Sequence, residues 1–364
     1  GELYFQGFNV AEIIAGFGDR KYGFEETTYL LLFGKLPTEE QRKNFIHILT
    51  DLEELSGAFL RDVIMKATST NLMNSLMKSI LSLYSYDENP DDVCVPNVLR
   101  QSLQLIAKMP LISVYAYQAY RHYKLDGTLM IKNPKKGYST AENILYMLRD
   151  DGQFTELEAK VLDICLVLHA EHGGGNNSTF TVRVTSSTGT DTYSAIAAGI
   201  GSLKGPLHGG ANIQVADMFQ HLKENIKDWT SVDEIDTYYT RMLNKEVYNK
   251  TGLIYGIGHA VYTISDPRAE MLRARCLEVA KEKKMMTEFD FRQRFERIAL
   301  ETMKERKGVA LPTNVDYYSG FAYEMLGIPR DLYTPLFVCS RLVGWVAHNI
   351  ENKLYDGRIM RPAT

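Results

Sequence analysis

The amino-acid sequence predicts an almost wholly α-helical protein. Capping signals recur along the chain, apolar residues repeat at helical spacing behind one of them, and alternating β-branched stretches are scarce. In chain order, Thr38 with Gln41, Ser139 with Glu142, Thr155 with Glu158 and Ser231 with Glu234 have the spacing that lets a hydroxyl and an acid or amide satisfy the first free N–H groups of a helix. Behind Thr155, the residues Leu157, Val161, Ile164 and Leu168 fall on one apolar face. That helix runs into "HAEHGGGNN", whose glycines offer the left-handed backbone that ends helices. "TFTVRVTSS" is the best candidate strand and equally the opening of the next helix. There is no βαβ rhythm, internal repeat or low-complexity run.

A chain of 364 residues allows one large domain or two of ordinary size. Hydrophobic residues at 45% and charged residues at 24% describe a soluble globular protein, and a net charge of −4 gives no pull toward nucleic acid or a membrane surface. Cys94, Cys165, Cys276 and Cys339 lie far apart without a C-x-x-C pair, which reads as free thiols in a reducing, cytoplasmic setting. The apolar run "VLDICLVLHA" contains Asp163 and is too short to span a bilayer. The opening "GELYFQG" reads either as the scar of a cleaved tag or as native sequence.

Glycine-rich breaks at 173–175, 205–210, 256–258 and 319–320 stand beside ionisable residues, the pattern of a site built from loops. In "KGPLHGGAN", His208 precedes a helix starting near Gly210 or Ala211. The positive end of that helix disfavours imidazolium, and a neutral ring can donate to an oxygen that is gaining charge. The alternative is a helix-capping histidine. "GIGHAVYTISDPRAE" sets His259 nine residues before Arg268, whose fork suits a carboxylate; the alternative is an Asp266–Arg268 turn beside a buried histidine. His169 and His172 are read as one helical turn apart, with Glu171 between and no third ligand nearby, so no metal site is expected and His172 is the better ligand contact. In "PTNVDYYSG", Asp316 among aromatic rings is either a carboxylate of raised basicity or a helix cap. Arg341 and Arg361 add two guanidiniums. A possible base, imidazoles and arginines, without a nucleophilic serine or a phosphate loop, suit carbon-acid chemistry on a polycarboxylate.

"GPLHGGAN", "GIGHAVYTISDPRA" and "NVDYYSG", in this order, resemble citrate synthase, and the likeness extends from "FEETTYLLLFGKLPTEEQ" through "HAEHGGGNNSTFTVR" to the terminal "RP". The resemblance favours "LYFQGFN" as native sequence, with a further N-terminal stretch in the family. It implies an all-α, two-domain homodimer, with a small domain over 210–320 and a large one over 1–209 and 321–364 that close over the active site. It implies condensation of acetyl-CoA with oxaloacetate, with CoA thioester as substrate and no cofactor or metal.

The resemblance makes Asp316 the base, His208 the donor to the thioester oxygen and His259 the group that polarises the ketone. His172, Arg268 and Arg341 would hold oxaloacetate, Arg361 would reach the partner subunit's site, and Ser178 would orient His208. The backbone of Leu253, Ile254, Tyr255, Gly256 and Gly258 would cradle the adenine of CoA. Thr263 stands where the family often has a basic residue near the CoA phosphates, a departure that Lys307 would offset. The rival readings are 2-methylcitrate synthase with propionyl-CoA, a citryl-CoA lyase, a silent paralogue acting as a binding protein, and a metal hydrolase on His169 and His172.

Overall fold

The computed structural model describes residues 1–308, 310–355 and 357–361, without the side chains of Arg306 and Lys307. Sixteen α-helices lie among the described residues, together with one two-residue antiparallel pair, Tyr4–Phe5 with Phe8–Asn9, turned by Gln6 and Gly7 at positive φ. The chain divides into two compact units. One is continuous apart from its first residues, Gly1–Leu3 and Gly210–Tyr333; the other comprises Tyr4–Gly209 and Thr334–Thr364. The boundary expected at 320 falls inside the helix Asp316–Met325, which packs on Ala211–Asn225 and Pro267–Glu282, so the chain stays with that unit as far as Tyr333.

Three capping boxes form as the spacing predicts, at Thr38, Ser139 and Thr155. The fourth forms only half. Ser231 accepts from Glu234 N, but the Glu234 carboxylate turns to the backbone N–H groups of Lys227 and Asp228. The helix Glu156–His169 is buried on nearly all sides, not along one stripe, because it runs through the middle of its unit. "TFTVRVTSS" becomes part of the helix Asn177–Ser186. Tertiary packing against Thr192–Lys204 decides here over β-propensity, with Val182 fully buried at the contact and Gly199 giving it room.

Cys94 is exposed and Cys165, Cys276 and Cys339 are buried, and no disulfide joins any two of them. Among the described residues, no helix is long and apolar enough to cross a membrane, and no three His, Cys, Asp or Glu side chains gather to hold a metal ion.

Candidate active site

In the unit built on Tyr4–Gly209 and Thr334–Thr364, the helix Tyr333–Tyr355 presents Phe337, Arg341, Trp345 and His348 along one side, spaced four, four and three residues apart. Arg341 is almost fully buried. Its Nε donates to His169 O at 2.7 Å, and its guanidinium lies 4.9 Å over the Phe337 ring. The helix Glu156–His169 ends at this histidine, and the chain turns through Ala170–Gly175 with Gly173 at φ +86°. His172 therefore lies beyond the helix that ends at His169, in a segment that Gly173 turns at positive φ and that Glu171 closes by accepting from His172 N and Gly173 N. His169 is a core histidine, its Nδ1 2.7 Å from Cys165 O.

His208 also lies in a turn, and it does not cap the helix that follows. Its Nε2 is 3.0 Å from Ser178 Oγ and 3.4 Å from Ser178 N. A backbone N–H can only donate, so Nε2 is the acceptor and the neutral ring carries its proton on Nδ1. Ser178 is itself fully buried and accepts from Trp345 Nε1 at 3.1 Å. Burial, and then the nearby Arg341 charge, push the His208 pKa down to about 4.

In the other unit, Asp266 and Arg268 form a buried, two-pronged pair. Asp266 Oδ1 accepts from Arg268 N and Nε at 3.0 and 2.9 Å, and Oδ2 accepts from Arg268 Nη2 at 2.8 Å and from Val315 N at 3.0 Å. His259 Nδ1 accepts from the backbone N–H groups of Val261 and Tyr262, at 3.0 and 3.1 Å, which leaves the proton of the neutral ring on Nε2. That nitrogen is 3.3 Å from Arg268 Nη2. Arg268 Nη2 and the Nε2–H of that tautomer are side by side, where an acceptor oxygen can receive both. Burial, then Arg268, lower the His259 pKa, with Asp266 opposing. Asp316 is the first residue of the helix Asp316–Met325, and its backbone N–H donates to Asn314 Oδ1 at 3.1 Å. Val315, not Asp316, occupies the capping position, so the capping alternative fails.

The 253–258 segment is locked to 312–314. Gly258 N donates to Pro312 O at 2.7 Å, Asn314 N to Gly256 O at 2.9 Å, and Asn314 Nδ2 to Gly258 O at 2.8 Å. Gly256 has φ +84°, and a Cβ there would lie 2.8 Å from the Tyr317 ring, so only glycine fits. The backbone oxygen of Gly256 and both backbone groups of Gly258 are thus engaged within the chain. Of the remaining residues in this stretch, Leu253 is exposed, Ile254 is buried and Tyr255 is half-buried. Thr263 is exposed, and the Lys307 side chain lies outside those described. Arg361 is exposed on a C-terminal segment tied down by Met360 N to Ser187 Oγ at 3.0 Å.

The Asp266–Arg268 pair named in the sequence as the alternative does form; what sequence reasoning missed is that Asp266 also accepts from Val315 N at the start of the Asp316 helix, and that Trp345 donates to Ser178. Sequence reasoning also left Glu171 without a role. Glu171 Oε1 accepts from His172 N at 2.8 Å and from Gly173 N, and lies 3.2 Å from His348 Nε2. The helical spacing of Arg341, Trp345 and His348 was the available signal.

Comparison with known proteins bears on what these residues do. Residues 1–363 match the family model described as citrate synthase, C-terminal domain. The chain is 36% identical over 367 residues to the citrate synthase of Haloferax volcanii, covering 100% of this chain and 88% of that protein. It is 32% identical over 362 residues to the 2-methylcitrate synthase of Shewanella oneidensis, covering 99% and 87%. Among solved structures, citrate synthase from Pyrobaculum aerophilum superposes with a TM-score of 0.83 at 30% identity, covering 100% of this chain and 86% of that one. The ternary complex of carboxymethyl coenzyme A and oxaloacetate with citrate synthase from Thermoplasma acidophilum gives 0.80 at 26% identity, covering 100% and 89%.

Proposed function

Because this chain belongs to the citrate synthase family, acyltransferases that convert acyl groups into alkyl groups on transfer, we propose that it condenses acetyl-CoA with oxaloacetate and hydrolyses citryl-CoA to citrate and CoA. The observation that carries the reading is His208: a ring kept neutral by burial, with Nε2 accepting from the backbone N–H of Ser178 and Nδ1–H left as the donor. In the proposed reaction Asp316 removes a proton from the acetyl methyl group. His208 Nδ1–H donates to the thioester oxygen as the enolate forms, where a neutral donor matches the developing charge. His259 Nε2–H and Arg268 Nη2 share the ketone oxygen of oxaloacetate, polarising the carbon that the enolate attacks. His172 and Arg341 hold its carboxylates.

The unit containing Gly210–Tyr333 is the proposed small domain, and the other unit the large one. The exposed Arg361 is proposed to complete the site of a partner subunit in a cytoplasmic homodimer. Leu253–Gly258 is proposed to receive the CoA adenine, with Lys307 near its phosphates.

A second reading, 2-methylcitrate synthase with propionyl-CoA, has the Shewanella oneidensis relative in its favour. One methyl group in the acyl pocket separates the two by about 1–3 kcal/mol. CoA-thiol release with oxaloacetate and either acyl-CoA tests both. Faster turnover of acetyl-CoA, with kcat falling about 10²–10⁴-fold in D316N, supports citrate synthase. Preference for propionyl-CoA moves the substrate, and no release from either overturns the proposal.

A further inference from the structure

We infer that His348 is a positioning residue for oxaloacetate binding, acting through Glu171 on the turn that carries His172. This rests on the proposed function, in which His172 holds the substrate.

Glu171 is 8% exposed, and one of its oxygens does all the visible work. Oε1 takes the backbone N–H groups of His172 and Gly173, so the carboxylate closes the turn in which His172 sits. The same oxygen lies 3.2 Å from His348 Nε2, across from a helix remote in sequence. Burial pushes the Glu171 carboxyl up, but His348, Arg341 and the Gly173 N–H outweigh it and hold the group below its ordinary range.

The approach of the helix to the turn is built, not incidental. Arg341 Nε donates to His169 O at 2.7 Å, Gly344 N donates to Ala170 O at 3.2 Å, and His348 meets Glu171. These residues are spaced three and four apart, one per turn along one side of the helix, and they meet three successive residues, the last of the helix Glu156–His169 and the first two of the turn. A Cβ at Gly344 would collide with Glu171 Oε2 and Ala170 O, so glycine is required for the helix to lie this close. Gly174 comes next to the imidazole from the other side: a Cβ there would stand 3.2 Å from His348 Cε1. The other charged group on the imidazole is Glu351, 3.6 Å from Nδ1. His348 thus bridges a carboxylate on its own helix and the carboxylate that shapes the His172 turn. Without it, Glu171 keeps its two N–H donors but loses the partner that fixes where the carboxylate, and with it the turn, is held.

The consequence is a selective one. Truncating His348 weakens oxaloacetate binding and leaves acyl-CoA deprotonation alone. In the intact 364-residue chain, H348A raises KM for oxaloacetate about tenfold, the worth of one charge-assisted contact. The kcat at saturating oxaloacetate and KM for the acyl-CoA stay within about twofold of the parent values. H348Q, whose amide can still donate to Glu171, recovers most of the loss. A KM for oxaloacetate unchanged in H348A overturns the inference. So does a fall in kcat without a rise in KM, and so does a rise that H348Q fails to reverse, since packing would then be responsible. Where H348A does not fold, E171Q carries the test: it keeps the shape and loses the charge, and unchanged oxaloacetate affinity overturns the assignment. Calorimetric titration with oxaloacetate reads the same weakening without turnover. A parent protein that binds oxaloacetate but releases no CoA thiol therefore defeats the proposed function and leaves this inference to be judged by its own outcome.

Discussion

Replacing Asp266 by asparagine separates a buried ion pair from ordinary surface electrostatics. The Asp266 side chain is 0% exposed and that of Arg268 4%. Four donors converge on the carboxylate, two on each oxygen: Arg268 N and Nε on Oδ1, Arg268 Nη2 and Val315 N on Oδ2. Asparagine keeps one acceptor oxygen. Whichever way its amide turns, an NH₂ group faces two donors, and the buried guanidinium loses its counter-charge. Removing one partner of a buried pair costs about 3–5 kcal/mol, against about 1 kcal/mol at most for an exposed pair.

The effect should fall on the unit containing Gly210–Tyr333, and tryptophan fluorescence can isolate it. Trp229 stacks on Phe291 within that unit, with ring centroids 5.1 Å apart, while the second of the two tryptophans, Trp345, lies in the other. In a W345F background, guanidinium unfolding of D266N followed through Trp229 should show the full loss at pH 7. The penalty should shrink in acid. Burial raises the Asp266 pKa but Arg268 lowers it further, so the folded value lies below the unfolded one. The stability that the carboxylate contributes is present above the unfolded pKa and disappears as pH falls through the folded value. A loss below about 1 kcal/mol at pH 7 would refute the reasoning, because it would mean that the pair behaves as an exposed one.

His208, with its pKa pushed down to about 4, should titrate in ring-proton NMR far below an ordinary histidine. The unfolded chain then takes up the proton first, so stability falls as pH drops from about 6.5 toward the folded value; a midpoint near 6.5 would refute this. Burial first, and Glu25 second, raise the Glu53 carboxyl to about 8, and burial raises Asp163 and Glu25 in the same region. Glu53 therefore contributes stability in acid that declines as pH climbs from about 4.3 and is gone once it passes the folded value. Urea unfolding followed through Trp345 in a W229F background should give a shallower decline with pH for E53Q than for the parent, and identical slopes would count against the assignment.

What was legible in the sequence was local. Capping boxes at Thr38, Ser139 and Thr155 depend on residues three apart, and all three formed. At Ser231 the acid had better donors upstream, which spacing alone does not reveal. The helix through Val182 defied its β-branched composition because a neighbouring helix covered it. The residues around His208 and His259 announced themselves through glycine-rich turns, but their proton positions did not. Those depend on which backbone N–H groups point at each ring, a three-dimensional fact. Glu171 and His348 were invisible as a pair for the same reason.

The helix Tyr333–Tyr355 also sets the order in which the protein becomes competent. Its links to the earlier chain are very long: Ser340 to Leu166, Arg341 to His169 and Trp345 to Ser178 span 174, 172 and 167 residues. Contacts so distant form late, after the loop between them has been closed. The intervening Gly210–Tyr333 stretch is contiguous and can fold as it leaves the ribosome. The turn of His172 and the ring of His208 wait for a helix that is synthesised afterwards. In the proposed reaction, His259 and Arg268 would therefore be set before His172 and His208, which wait for the helix Tyr333–Tyr355 to dock.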